Sequence, residues 1–168
     1  VSYKSGTILS LGDRMSLWFL LNLIVLIILL TKIVANDQLL HIIIGGIGYI
    51  LFLFNWTRHA VFSTLRSNLD RRKKIKFANL SKKVYPFHRW IGTTALVMIL
   101  LHAILVVQRY GFHLNHSKML TGICALIILI CLVITGWMRL FRPSFKKRIA
   151  HLWLGLTLFF VALSHLLI

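Results

Sequence analysis

The feature that most constrains this chain is a motif that occurs twice. His88-Arg-Trp-Ile-Gly92 is followed by His102, and His151-Leu-Trp-Leu-Gly155 is followed by His165. The two copies are offset by 63 positions and also share Thr94 with Thr157 and Leu100 with Leu163. In an α-helix, fourteen residues rise about 21 Å and return to within about 40° of the starting face. Each copy therefore presents two imidazoles on one stripe of a helix, at two heights.

Composition decides where such helices can live. The chain is 58% hydrophobic and only 14% charged, which suits a bilayer and not a soluble domain. Five uncharged apolar runs stand out: Met15–Thr31, Gln38–Thr57, Trp90–Gln108, Met119–Met138 and Ile149–Ile168. Each is long enough to cross a hydrocarbon core of about 30 Å as a helix. Lipid admits only helices and closed barrels, and the period-two alternation of a barrel is absent. The expected fold is an all-α integral membrane protein: one domain over residues 1–168, a five-helix bundle with spans near 15–34, 38–57, 87–108, 119–138 and 149–168. The first run follows a short polar lead, Val1–Arg14, and reads as a permanent helix. It is longer than a signal-peptide h-region and lacks a small-x-small cleavage site.

A net charge of +17 suits a nucleic-acid binder only if the cations share a soluble face. Here Lys32, Arg109 and Lys118 fall on one side of a five-span chain and the other seventeen of the twenty Lys and Arg on the opposite side. That asymmetry is the positive-inside signature. It puts the N-terminus and the loops Arg58–Phe87 and Arg139–Arg148 in the cytoplasm of a multi-pass cell-membrane protein, facing anionic lipid head groups and not nucleic acid. Trp18, Trp56, Trp90, Trp137 and Trp153 all map near the inner interface, as an aromatic belt does. Cys124 and Cys131 lie about 10.5 Å apart along one helix, too far to bridge each other. They read as small packing residues.

Orientation gives the repeated motif its chemistry. The third and fifth spans point the same way, so His88 faces His151 near the inner side and His102 faces His165 further out. Two opposed imidazoles at each level are what a six-coordinate haem iron needs when the porphyrin supplies four nitrogens. Gly92 and Gly155, four residues after each inner histidine, share its face and remove a side chain where a flat macrocycle would approach. Arg89, Arg139, Arg142, Lys147 and Arg148 are inner candidates to receive haem propionates, and Arg109 and Lys118 outer ones; snorkelling to the interface is the competing account. The fourth span, with no ionisable residue, reads as a structural wall. Gly45, Gly46 and Gly48 in the second span read as a close helix-packing face, with contact to a cofactor edge as the alternative.

Four other histidines compete. His41 and His59 share a face of the second span near its two ends, where His59 beside Arg58 is placed to hydrogen-bond a propionate. His113 and His116 lie on the short outer loop, where solvent exposure and weak extracellular metal binding are the alternatives.

The paired His-x13-His helices, third and fifth in order, with the inner histidine in an HRWxG setting, resemble the ferric reductase-like transmembrane domain. Ferric reductases, NADPH oxidases and the membrane subunit of the bacterial periplasmic methionine sulfoxide reductase system share that domain. The resemblance covers roughly Leu39 to Ile168. It implies two b-type haems stacked across the membrane between the third and fifth helices, with His88 and His151 on the inner iron and His102 and His165 on the outer. Relatives commonly add a sixth span and a cytoplasmic flavin and nicotinamide domain. This sequence ends just after His165 and has no G-x-G-x-x-G stretch.

The function expected is therefore a transmembrane di-haem b cytochrome, the electron-transfer subunit of an oxidoreductase. Its donor is a cytoplasmic reductase, a flavoprotein in trans, or a membrane quinol, and its acceptor is extracytoplasmic. No catalytic residue is assigned on the chain itself. A quinol-oxidising cytochrome b subunit of a larger complex is the alternative. A haem-free scaffold or transporter component stands as the alternative from another class, although no broken helix or buried acidic pair favours transport.

Overall fold

The structure, a computed structural model, describes residues 17–35, 39–65 and 71–168. The polar lead Val1–Arg14 and positions 36–38 lie outside the described residues. Within them the chain is helical almost throughout: α1 (Leu17–Ala35), α2 (Leu40–Leu65), α3 (Arg71–Val84), α4 (His88–Tyr110), α5 (Ser117–Phe141) and α6 (Phe145–Leu167). A 3-10 turn, Tyr85–Phe87, leads into α4. Five of these helices, all but α3, are long and apolar enough to cross a membrane.

Leu, Ile and Val dominate the spans, and each helix closes its own backbone hydrogen bonds, as lipid requires. The few hydroxyls are absorbed the same way. Thr93 Oγ1 donates to the Arg89 carbonyl (2.9 Å), and Thr94 Oγ1 donates to that of Trp90 (3.0 Å). Helix ends follow local chemistry. Gly111, with φ +75°, takes a positive-φ conformation that suits glycine after α4, while its N–H donates to the Val107 carbonyl. Ser144 caps α6 by accepting from the Lys147 amide at 3.2 Å. Pro143 sits between, where a helix cannot continue.

The two largest departures from the expected bounds are at the end of α2 and the start of α6. Helix α2 runs eight residues past Thr57, and much of the expected Arg58–Phe87 loop is helix: the end of α2 and then the basic α3, whose segment is RRKKIKFANLSKKV. Helix α6 begins at Phe145, ahead of Ile149, because Ser144 supplies its cap.

Helix α2 is the hub. It packs along α1 and α4, while α5 packs along α6 and more lightly against α4. The buried core joins Val25 and Leu29 of α1, Tyr49, Phe52, Leu53 and Trp56 of α2, Leu129 of α5, and Leu158 and Phe159 of α6. At its centre Trp56 stacks on Phe159 (ring centroids 5.4 Å apart) and on His59 (4.7 Å), with Trp18 edge-on to all three. Trp56 is thus a core residue and not part of an interfacial belt, whereas Trp90 and Trp153 are 65% and 62% exposed, as belt residues should be. Cys124 and Cys131 are free and exposed on α5.

Candidate functional site

The histidines of the repeated motif meet in the pairs that the spacing implies. The rings of His88 and His151 have centroids 6.3 Å apart and those of His102 and His165 6.5 Å apart. Their planes cross at 73° and 82°. The backbones of α4 and α6 do not pack along each other. What bridges the two helices at each level is a pair of imidazoles.

The separation has chemical content. A metal–imidazole nitrogen bond is about 2.0 Å long, and Nε2 lies about 1.1 Å from the ring centre. Two imidazoles trans across one ion therefore have centroids about 6.2 Å apart. Edge-on ring pairs in plain contact span the same range, about 4.5–7 Å, and His41 stacks on His102 at 6.3 Å, so the spacing admits a shared ion and does not by itself require one. Among the described residues, no group of three or more His, Cys, Asp or Glu is placed to chelate a bare metal ion. Two imidazoles at each level are the donors that the described residues bring together there.

The flanking helices decide which ring nitrogen is available. Thr135 Oγ1 donates its proton to the Leu132 carbonyl (2.9 Å) and also lies 3.1 Å from His151 Nδ1. Thr121 Oγ1 donates to the Lys118 carbonyl (3.0 Å) and lies 3.2 Å from His165 Nδ1, which is itself 3.0 Å from that carbonyl. A hydroxyl has one proton, so both threonines can only accept from the imidazoles. His102 Nδ1 lies 2.6 Å from the His41 carbonyl, which also can only accept. We assign Nδ1–H to all three rings, which leaves the lone pair on Nε2.

Glycines make room for these rings. A Cβ on Gly122 would lie 3.0 Å from His165 Cε1, and one on Gly136 would lie 3.4 Å from His151 Cε1. A Cβ on Gly45 would lie 2.6 Å from His102 Nδ1. Helix α5, expected to be a wall, therefore carries Thr-Gly twice, at 121–122 and 135–136, with the same fourteen-residue period as the histidines. That period is the signal a reading of the sequence passes over. Of the glycines in α2, Gly46 faces Ile33 and Gly48 faces Ile99, so these two serve helix packing, while Gly45 seats a histidine.

The nearest neighbour to a Cβ on Gly92 would be Asn55 Nδ2 at 3.2 Å, and to one on Gly155 Trp56 at 3.1 Å. Both glycines lie against side chains from α2.

Positive charge gathers at one end. Arg58, Arg139 and Arg89 act electrostatically on His88, and Arg139 and Arg58 act on His151. Arg89 also lies over the Trp137 ring at 5.6 Å, and Trp137 donates to Thr93 Oγ1 at 3.1 Å. At the other end Lys118 acts on His165 and Arg109 on His41. There a cleft of about 270 Å³ is lined by Leu40, His41, Leu105, Gln108 and Arg109.

The competing histidines take other roles. His41 is buried with its ring stacked on that of His102 at 29°, and its carbonyl anchors that ring. His59 stacks on Trp56. His113 and His116 are exposed on the loop with ring centroids 6.0 Å apart, and the His113 amide donates to Met119 Sδ. Compared with family models, with curated proteins and with solved structures, the chain matches none.

Proposed function

We propose that this chain is a transmembrane di-haem b cytochrome of the ferric reductase-like kind it resembles. In this reading it passes electrons from a cytoplasmic-side donor, a flavoprotein in trans or a quinol, to an extracytoplasmic acceptor. One observation carries the reading: α4 and α6 bring four imidazoles together in two facing pairs, fourteen residues apart on each helix, with Nδ1 tied back on three of the four rings.

When bound, haem supplies an iron that cycles between ferric and ferrous, one electron at a time. The chain's part is positional. His88 with His151 would hold one haem and His102 with His165 the other, each through its imidazoles, and the haem would supply one-electron transfer there. The chain is on this account a conduit, and the chemistry on the acceptor happens outside it. The two levels are fourteen residues apart, about 21 Å along the helices, which sets them one above the other through the bilayer. Arg58, Arg89 and Arg139 at the first level, and Arg109 and Lys118 at the second, offer cations to propionate carboxylates. The end rich in Lys and Arg, including α3, is assigned to the cytoplasm by the positive-inside rule, where it also offers an acidic donor protein a complementary surface.

The test is vectorial electron transfer. Haem-loaded protein in proteoliposomes with ferricyanide trapped inside should bleach that ferricyanide when a membrane-impermeant reductant is added outside. Protein from haem-deficient cells should not. Equal bleaching by both would remove the basis for the proposal.

A further inference from the structure

Three of the four imidazoles have an acceptor at Nδ1; His88 has none, and its Nδ1 is buried. A second buried atom without a partner, Asn55 Oδ1, belongs to a side chain already lying against His88: Asn55 Nδ2 donates to the His88 carbonyl at 3.0 Å. The two atoms are complementary, one an acceptor and the other a ring nitrogen that must carry a proton if Nε2 is to hold an ion. Leaving either unsatisfied in a low-dielectric interior costs about 1–3 kcal/mol.

The repeat singles out the same residue. The anchor for His102 comes from position 41 of α2, and α2 runs antiparallel to α4. Moving fourteen residues along α4 from His102 back to His88 corresponds to moving fourteen along α2, from His41 to Asn55. On α5 the anchors repeat with the same period, as Lys118 with Thr121 and Leu132 with Thr135. Asn55 occupies the one position in this two-level scheme whose anchor is otherwise missing. Gly92 leaves room for it, since Asn55 Nδ2 is the atom a Cβ there would meet.

We propose that Asn55 is a positioning residue for His88: its Oδ1 accepts the Nδ1 proton, fixes the tautomer with Nε2 free, and sets the basicity of that ligand. This rests on the di-haem reading. A better acceptor makes an imidazole more electron-donating and favours ferric iron; no acceptor does the reverse.

The experiment compares Asn55→Leu with Asn55→Asp by redox titration of the purified, haem-loaded protein. Both variants lose the donor to the His88 carbonyl, so that loss cannot account for a difference between them. Asn55→Leu should keep two haems and raise the midpoint of one, the haem that is absent in His88→Ala. Asn55→Asp should lower that same midpoint. Each shift should change the ferrous-to-ferric ratio about tenfold at fixed potential, 59 mV for a one-electron couple. Asn55→Ala, which only removes atoms, replaces the Leu variant if that does not fold, with the same expected sign. Midpoints that ignore Asn55, or move in one direction for both variants, overturn the inference alone. A wild-type protein that carries no haem overturns the di-haem reading, and this inference with it.

Discussion

The Thr135 hydroxyl lies 3.1 Å from His151 Nδ1 while its proton is committed to the Leu132 carbonyl at 2.9 Å, so the imidazole is the donor in this pair. One threonine thereby sets the tautomer of a histidine on another helix. Thr121 and His165 repeat the relationship one level away.

Thr135→Val keeps the shape of the side chain and removes the acceptor. Haem affinity at the His88–His151 level should fall about 10–100-fold, while Thr135→Ser should restore it. Haem titration of protein from haem-deficient cells measures both, and a loss in the Ser variant equal to that in Val would count against the hydroxyl.

Gly45→Ala would set a Cβ 2.6 Å from His102 Nδ1 and 2.9 Å from its Cε1. The ring also stacks on His41, so it has to shift off its anchor, and the His102–His165 level should lose its haem while the other keeps it. Gly46→Ala is the control. Its Cβ meets only the end of the flexible Ile33 side chain at 2.6 Å, and haem content should not change.

Much of this arrangement is legible in the sequence. The apolar runs, their parallel order and the H-x13-H spacing place four imidazoles in two pairs without any coordinates. The shell around them is harder to see. Thr and Gly in an apolar helix ordinarily back-bond and pack, so Thr121, Gly122, Thr135 and Gly136 acquire meaning only once α5 is known to lie along α6. For Gly92 and Gly155 the repeat does not say which side chains lie beside them. What fills the space beside them comes from α2, and nothing in the repeat says where α2 packs. The same gap placed Trp56 at the interface and not in the core.

Gly155→Ala separates these roles. Its Cβ would press on Trp56 at 3.1 Å, an overpacking that should cost about 1–3 kcal/mol. Denaturation in micelles should show the loss, with the haem ratio unchanged. A haem loss at full stability would return Gly155 to the cofactor face.

Orientation is checked by labelling. With Cys124 and Cys131 replaced, a single cysteine at Lys76 should react with an impermeant maleimide only after cells are opened, and one at Leu114 should react in intact cells. The reverse pattern would invert the proposed direction of electron flow.

The account stands most directly on the haem-to-protein ratio of purified protein from haem-replete cells, read by pyridine haemochrome in wild type and His102→Ala. Two b-type haems per chain in the wild type and one in the variant is the predicted result. A colourless wild type, or two haems retained without His102, would contradict it.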